Sequence, residues 1–256
     1  MADFQMFDLT GKVAVVTGGN GGIGLGLARG LAKAGASIAI WARNQEKCQA
    51  AQRELEALGA DVLALTCDVA QEDDNAVATK ATLDRFGRID SCFANAGFGQ
   101  SADPLKLSLE DWRQLMSVNL DGVFLSFRET AKHMVERGGG GKLVAISSIT
   151  EIFGSPVQPH YAASKAALGG LVRSMAVRLG RNDIQVNSIL PGWIETDATA
   201  PAMNHPKLSD TIVRRTPARR WGSTADLEGI AVYLASDASR FHTGDSICVD
   251  GGYSIF

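Results

Sequence analysis

The feature that most constrains the fold is a regular alternation of short apolar runs with helical patterns along nearly the whole chain. Val13–Val16 is apolar and β-branched, as expected for a buried strand. Similar runs predict strands at 37–41, 61–66, 89–94, 142–147, 184–190 and 246–249, with helices at 25–33, 45–58, 71–86, 108–137, 161–179 and 225–235. Such alternation places helices on both faces of a parallel sheet. The sequence therefore predicts an α/β fold with a doubly wound parallel seven-stranded sheet.

We expect residues 1–256 to form a single domain. A chain of 256 residues suits one α/β domain, and no internal repeat or low-complexity linker divides it. Residues 193–223 interrupt the alternation and contain Pro201, Pro206 and Pro217. Because a long irregular insertion in a compact domain is often functional, we predict a substrate-binding loop or lid there.

Charge and cysteine content narrow the possible partners. The net charge is −3 and no long basic run is present, which argues against nucleic acid. The four cysteines have neither metal-ligand spacing nor a disulfide pattern. The N-terminal Met-Ala-Asp-Phe-Gln does not resemble a signal peptide, and no apolar run approaches the roughly 18–20 residues that cross a bilayer. We therefore expect a cytoplasmic protein that binds neither membrane, nucleic acid nor metal.

A glycine-rich turn, Thr17-Gly18-Gly19-Asn20-Gly21-Gly22-Ile23-Gly24, joins the first predicted strand to the first helix. Glycines permit a tight turn and close approach of backbone to a ligand. The following helix directs its unpaired N–H groups and positive dipole end at that ligand. In this place the turn indicates a pyrophosphate site, and the alternative is a structural turn without a ligand.

The end of the second strand bears on which dinucleotide binds. Folds of this kind usually carry an acid there for the ribose 2′-hydroxyl, but this chain has Ala42 followed by Arg43 and Asn44. An arginine can bind a 2′-phosphate, which favours NADP over NAD. The alternative is that Arg43 stacks on adenine or faces solvent.

Tyr161 and Lys165 are four residues apart in a predicted helix and therefore share one face. A nearby ammonium favours the phenolate and lowers the tyrosine pKa from about 10, as a general acid–base near neutral pH requires. Ser148 lies thirteen residues before Tyr161 and could hydrogen-bond the reacting oxygen. Alone, the pair also fits a half-buried tyrosine beside a solvated lysine, and the glycine-rich turn favours the catalytic interpretation.

Taken in order, these motifs resemble the short-chain dehydrogenase/reductase family over essentially the whole chain. The C-terminal Thr243-Gly244 and Asp250-Gly251-Gly252 are typical of a subgroup with 3-oxoacyl-carrier-protein reductases and sugar or polyol dehydrogenases. The resemblance implies a Rossmann fold and a catalytic tetrad of Asn119, Ser148, Tyr161 and Lys165. With Arg43 and Asn44, the predicted cofactor-binding residues are Thr17, Gly18, Asn20, Gly22, Ile23, Gly24, Asp68, Val69, Asn95, Ala96, Gly97, Tyr161, Lys165, Pro191, Gly192, Ile194 and Thr196.

Structural roles stay open for several of these positions. Asp68 could cap the helix that starts near residue 71. Asn95 and Asn119 could satisfy buried backbone groups, and Thr17 and Thr196 could be ordinary turn or capping residues.

The resemblance implies hydride transfer between nicotinamide C4 and a carbonyl or secondary alcohol. Tyr161 is then the general acid–base, and Ser148 hydrogen-bonds the substrate oxygen. Lys165 lowers the tyrosine pKa and holds the nicotinamide ribose, while Asn119 positions a water that links Lys165 to solvent. Ser147 could replace Ser148, but the spacing to the tyrosine and the alternation of side chains along a strand favour Ser148.

The substrate is less constrained. Residues just after the motifs predict a pocket wall of Phe98, Glu151, Ile152, Phe153, Gln158, Trp193, Ile194 and Met203. Its apolar members suit a ketone or steroid-like ring, whereas its polar members suit a sugar acid or polyol. An NAD-dependent sugar, polyol or hydroxysteroid dehydrogenase and a non-catalytic dinucleotide sensor are the alternatives. Family resemblance implies a homotetramer, and a homodimer is the other assembly expected.

Overall fold

The computed structural model describes residues 5–256 and contains one seven-stranded sheet in that range. The strands are β1 (Val13–Thr17), β2 (Ser37–Ala42), β3 (Val62–Thr66), β4 (Ser91–Ala94), β5 (Gly141–Ile146), β6 (Ile184–Pro191) and β7 (Ser246–Val249). Their order is β3-β2-β1-β4-β5-β6-β7, and every neighbouring pair is parallel. The predicted α/β fold with a parallel sheet is confirmed.

Helices cover both faces of this sheet. They are α1 (Gly22–Lys33), α2 (Gln45–Glu56), α3 (Glu72–Phe86), α4 (Leu109–Met116), α5 (Gly122–Arg137), α6 (Pro159–Leu179), α7 (Ala200–Met203), α8 (Pro206–Arg215) and α9 (Glu228–Ala235). One core contains buried side chains of α1, α2 and α9, and the other contains those of α3, α5 and α6. The sheet is therefore enclosed on both sides, as its apolar strands require.

Strand β2 shows how the two cores are separated. Ile38 and Ile40 pack into one core, whereas Ala39 and Trp41 pack into the other, because successive strand side chains point to opposite faces. Trp41 is fully buried, and its indole N–H donates to the Thr82 hydroxyl at 3.1 Å. The bulky ring is thus packed without leaving its polar atom unsatisfied.

The strand order also determines where a ligand can bind. Strand β1 lies between β2 and β4, so the chain proceeds in one direction along the sheet through β2 and β3 and then in the other from β4. Ligands of such sheets bind outside the carboxyl ends of the strands at this switch point. The glycine-rich turn follows β1 at that location.

The segment 193–223 is less irregular than predicted, because it contains α7 and α8. Pro201 and Pro206 lie in the first turns of these helices. A proline is tolerated there because the first-turn N–H groups have no intrahelical partner. Both prolines therefore begin helices, and the prediction of an irregular segment was wrong at these residues.

Two further features concern boundaries and spans. A π-helical turn, Ser117–Asp121, joins α4 to α5 within the stretch predicted as two helices. Between residues 5 and 256, no helix is both long and apolar enough to span a membrane, and no three metal-ligating side chains come together. The N-terminal signal-peptide prediction falls mainly on residues 1–4, which lie outside the described residues.

Candidate active site

A cleft of about 510 Å³ lies at the carboxyl ends of the strands, a size typical of ligand sites. It contains most of the predicted cofactor-binding residues together with Ser148, Tyr161 and Lys165. The predicted residues that line it are Gly18, Asn20, Gly22, Ile23, Arg43, Asn44, Asp68, Val69, Asn95, Ala96, Gly97, Phe98, Ser148, Tyr161, Lys165, Pro191, Gly192, Ile194 and Thr196. Sequence-distant residues therefore converge because parallel strands end at one edge of the sheet.

The glycine-rich turn forms one end of the cleft. Gly18 and Gly22 have φ values of 64° and 50°, which side chains rarely adopt. Helix α1 begins at Gly22 without a side-chain cap, and its first residues, Gly22 and Ile23, line the cleft. Gly24 does not line the cleft. A Cβ there would overlap the Gly18 carbonyl oxygen and lie 2.5 Å from Nδ2 of Asn95, so this glycine serves packing.

Thr17 and Asn95 brace β1 against the end of β4. The Thr17 hydroxyl accepts hydrogen bonds from the backbone N–H groups of Asn95 and Ala96 at 3.0 and 2.9 Å. The Asn95 side chain in turn donates to the Thr17 carbonyl at 3.0 Å. Thr17 is buried and does not line the cleft. Its contacts therefore support a structural role in the turn.

Beside the glycine-rich turn, the cleft is lined by Arg43, Asn44 and Lys47, and the Asn20 side chain donates to the Asn44 carbonyl at 3.5 Å. Asn44 caps α2 by accepting a hydrogen bond from the Lys47 backbone N–H at 2.9 Å. Lys47 was not predicted; its ammonium pairs with the Asp197 carboxylate at 3.3 Å. Arg43 is exposed, and within residues 5–256 it has no carboxylate partner. Two cationic side chains, those of Arg43 and Lys47, thus lie where folds of this kind usually carry an acid.

Asp68 lines the cleft after β3. Its carboxylate accepts a hydrogen bond from the Ala70 backbone N–H at 3.1 Å, and its own N–H donates to Asp74 at 2.8 Å. Gln71 occupies the N-cap of α3, so Asp68 does not cap that helix.

Ser148, Tyr161 and Lys165 share one wall of the cleft. The Lys165 ammonium lies 5.6 Å from the centre of the Tyr161 ring and donates to the Ile146 carbonyl at 2.7 Å. The Ser148 oxygen accepts from the Thr150 backbone N–H at 3.1 Å. Because that bond occupies only a lone pair, the serine hydroxyl can still donate to a substrate oxygen.

The pKa of Tyr161 is shifted in the direction opposite to the prediction. Burial raises the pKa of Tyr161, and a hydrogen bond with Ser148 opposes this increase. Burial lowers the pKa of Lys165 to about 8, opposed by the negative charge of Glu151. The expected lowering of the tyrosine pKa by Lys165 is not found in this structure. The cause is that desolvation disfavours both the phenolate and the ammonium.

Asn119 is fully buried in the π-helical turn, a distortion frequent at functional sites. Its side-chain oxygen accepts from the Phe98 N–H at 3.0 Å, and its amide donates to the Phe98 carbonyl at 2.9 Å. Gly97 leaves room for it, since a Cβ there would lie 3.1 Å from that oxygen. The side chain therefore fixes the backbone after β4. The positioning of a water, which was predicted for Asn119, is left to the hydrogen-bonding groups of this residue that the two bonds to Phe98 do not use.

Only Phe98 and Ile194 of the predicted substrate wall line the main cleft. Glu151 differs most from the prediction, because its carboxylate turns away and accepts hydrogen bonds from Ser147 and Ser246. The other predicted residues lie nearby in different contacts. Phe153 and Trp193 pack edge-on against Tyr253, and Gln158 lies beside Gly99. The Met203 sulfur lies 3.9 Å from the Thr199 hydroxyl, and Ile152 is exposed.

The segment over the cleft is organised by Thr199, which the sequence analysis missed. Its hydroxyl donates to the Ile194 carbonyl at 2.6 Å and accepts from the Thr196 N–H at 3.0 Å. A threonine three residues after Thr196 is a signal for this kind of local backbone bonding. The other missed lining residues are Gly21, Trp41, Ala42, Lys47, Cys67, Gly99, Val118, Ile146, Ser147, Asp197 and Ala198.

Comparison with known proteins identifies the relatives of this chain. A family model described as enoyl-(acyl carrier protein) reductase matches residues 18–254. Gluconate 5-dehydrogenase of Gluconobacter oxydans (strain 621H) is 37% identical over 255 residues, which cover 100% of this chain and 99% of that protein. 2-Dehydro-3-deoxy-D-gluconate 5-dehydrogenase of Escherichia coli (strain K12) is 38% identical, over 96% of this chain and 97% of that protein.

Solved structures agree. A gluconate 5-dehydrogenase from Burkholderia cenocepacia J2315, in complex with NADP and tartrate, has a TM-score of 0.94 and 39% identity, with 98% of each chain covered. A short-chain type dehydrogenase/reductase from Mycobacterium marinum has a TM-score of 0.93 and 35% identity, again with 98% of each chain covered. With the same fold, matching motifs and full-length similarity, this chain belongs to the short-chain dehydrogenase/reductase family of oxidoreductases.

Proposed function

We propose that this protein is an NADP(H)-dependent dehydrogenase that acts on a secondary alcohol, or the corresponding ketone, of a sugar acid. One observation carries the proposal. Ser148, Tyr161 and Lys165 lie on the wall of the same cleft that the glycine-rich turn closes at its other end. Acid–base groups and a pyrophosphate cradle thus share one continuous space.

In the oxidative direction, the Tyr161 phenolate takes the proton of the substrate hydroxyl as the carbon–hydrogen bond breaks and a carbonyl forms. A bound oxidised nicotinamide cofactor supplies the hydride acceptor. Ser148 donates a hydrogen bond to the substrate oxygen and orients it toward the tyrosine. Lys165, kept cationic, favours the phenolate, and a water near Asn119 carries the released proton toward solvent. In reduction the same groups act in reverse.

The residues present fit a dinucleotide. Gly18, Gly22 and Gly97 line the cleft with backbone alone, and the uncapped start of α1 offers N–H groups to a pyrophosphate. Asp68 and Val69 line the cleft and are proposed to contact the adenine, and Pro191, Gly192 and Thr196 line the cleft as well.

Arg43 and Lys47 support NADP over NAD. Both line the cleft beside the glycine-rich turn, and no acid occupies the position after β2 that would bind a ribose 2′-hydroxyl. A 2′-phosphate needs cationic partners of this kind. The Burkholderia cenocepacia structure contains NADP, which is consistent with the same preference here.

The relatives support a sugar acid as substrate, because two that cover 100% and 96% of the chain are named as gluconate-type dehydrogenases. An anionic substrate needs a nearby cation. Arg215 lies over the rings of Phe153 and Tyr253 at 5.1 and 4.3 Å, and within residues 5–256 it pairs with no side-chain carboxylate. The guanidinium donates to the Phe256 carbonyl oxygen at 3.4 Å and to the Tyr253 hydroxyl at 3.3 Å, and it places a positive charge beside Phe153, which was predicted to contact substrate.

Segment 193–223 is proposed as a substrate-binding lid. It extends from the end of β6, contributes Ile194, Thr196 and Asp197 to the cleft, and reaches α2 through the pair between Asp197 and Lys47. This exposed ion pair thus joins residues on both sides of the cleft. Because an exposed ion pair contributes little free energy, it can break when the segment opens.

Assembly as a homotetramer, or as a homodimer, is proposed from apolar side chains on outer faces. Val177 of α6 is 87% exposed, and Phe124 of α5 and the C-terminal Ile255 and Phe256 are also exposed. Light scattering after size-exclusion chromatography tests this directly, and a monomer contradicts it. A cytoplasmic location is proposed because all four cysteines are free.

The function is tested by initial rates with gluconate and 2-dehydro-3-deoxy-D-gluconate, each with NADP⁺ and with NAD⁺. Formation of reduced cofactor is followed by absorbance. We expect turnover of a sugar acid with NADP⁺ preferred. Absence of turnover with either sugar acid, together with reduction of a cyclic ketone such as levodione by NADPH, followed as loss of NADPH absorbance, contradicts the substrate class and leaves the enzyme class in place.

A further inference from the structure

Glu151 lies three residues after Ser148 and makes contacts that the reaction described above does not use. One carboxylate oxygen accepts from the Ser147 hydroxyl at 2.7 Å. The other accepts from the Ser246 hydroxyl of β7 at 2.9 Å, and that hydroxyl also lies 2.9 Å from Ser188 of β6. The carboxylate therefore links the segment after β5 to β7 directly and to β6 through Ser246 and Ser188.

The same carboxylate lies against α6. The Ser147 hydroxyl also contacts the Lys165 carbonyl oxygen at 3.2 Å. One turn further along, a Cβ on Gly169 would lie 2.6 Å from the Glu151 oxygen and 3.3 Å from the Arg173 guanidinium. Glycine inside a helix is less favourable than alanine. Gly169 occupies the position where helix α6 must leave room for the Glu151 side chain.

The charge of Glu151 is in the right place to act on the reaction. Lys165 is buried, and burial disfavours its ammonium. Glu151 is the carboxylate whose field opposes this effect. The other titratable groups facing the two residues are Tyr161 and Arg173 on α6 and Cys248 on β7. With Tyr161 in its protonated resting form, none of these carries a negative charge at neutral pH.

We propose that Glu151 is a positioning residue of the reaction. Its carboxylate fixes the segment that carries Ser148 against α6 and β7, and its charge keeps the buried Lys165 cationic. The inference rests on the proposed function, because it assigns Glu151 a part in the same proton transfer. Glu151 acts through Ser147 and Lys165 and does not contact the cleft.

Competitive acetylation with acetic anhydride tests the inference without requiring turnover. The labelling of Lys165 across a pH series, read by peptide mass spectrometry, gives the titration midpoint of its ammonium. Glu151→Gln is expected to lower this midpoint by roughly half a unit to one unit, because a nearby negative charge is lost. Glu151→Asp retains the charge and is expected to stay close to wild type. Glu136→Gln, at an exposed residue of α5, is the matched control.

An unchanged midpoint in Glu151→Gln overturns the proposal, as does an equal shift in Glu151→Asp, which would indicate a structural role alone. If Glu151→Gln does not fold, Glu151→Ser makes the same comparison. The alkaline limb of the kcat profile should move to lower pH in the same variant. If wild type turns over no sugar acid, the proposed function fails, while the labelling still decides whether Glu151 controls Lys165.

Discussion

Replacing Arg43 should change the cofactor preference of this enzyme more than its affinity for dinucleotides in general. Arg43 lines the cleft, is exposed, and has no carboxylate partner within residues 5–256, so no ion pair must break before it binds a phosphate. A hydrogen bond between charged groups contributes about 1.5–3 kcal/mol. Solvent and salt weaken an exposed contact, so we take the lower part of this range. Arg43→Ala should therefore weaken NADPH binding about 10- to 30-fold.

The assay is fluorescence titration of NADPH and NADH side by side at one fixed salt concentration. NADH affinity should change less than about 3-fold, because the 2′-phosphate is the only group that differs. Arg53→Ala is the matched control, since Arg53 is an exposed arginine on α2 that does not line the cleft. Equal weakening of NADPH and NADH by Arg43→Ala would refute the 2′-phosphate assignment and favour stacking on adenine.

Two further predictions concern stability. Gly24→Ala should lower the free energy of unfolding in urea by about 1–3 kcal/mol and weaken NADPH binding, because the new Cβ meets rigid backbone. Gly170→Ala is the control and should have neither effect, since open space surrounds that position. Lys142 is buried and burial lowers its pKa to about 8 from 10.5, so it destabilises the folded state below pH 8 and this penalty disappears as pH rises to 10.5. The stability of Lys142→Met relative to wild type should therefore fall by about 3 kcal/mol over that range, and a constant difference contradicts this.

The motif-bearing parts of the site could be predicted from the sequence because each motif is local and its place in the strand order is fixed. Gly18, Asn95, Tyr161 and Lys165 reach one cleft because parallel strands and their following turns end at one edge of the sheet. The spacing of four residues between Tyr161 and Lys165 needed only the geometry of a helix. Local pattern and topology were sufficient in these cases.

Contacts between distant segments could not be predicted in the same way. The orientation of Glu151 depends on hydroxyls of Ser147 and Ser246, and the latter is 95 residues away. The pKa of Tyr161 depends on how deeply the folded chain buries it, which the spacing to Lys165 does not reveal. Pro201 and Pro206 can either break or begin a helix, and the sequence pattern alone did not distinguish these outcomes.

The central claim is that Tyr161 transfers the proton in a hydride-transfer reaction. Its most direct test compares kcat and the NADPH dissociation constant of Tyr161→Phe with wild type. The matched control is Tyr233→Phe. The Tyr233 hydroxyl contacts His242 at 3.1 Å, and Tyr233 does not line the cleft. We predict at least about 100-fold lower kcat in Tyr161→Phe with NADPH affinity nearly unchanged, and near-normal activity in the control. Substantial turnover by Tyr161→Phe would contradict the assignment.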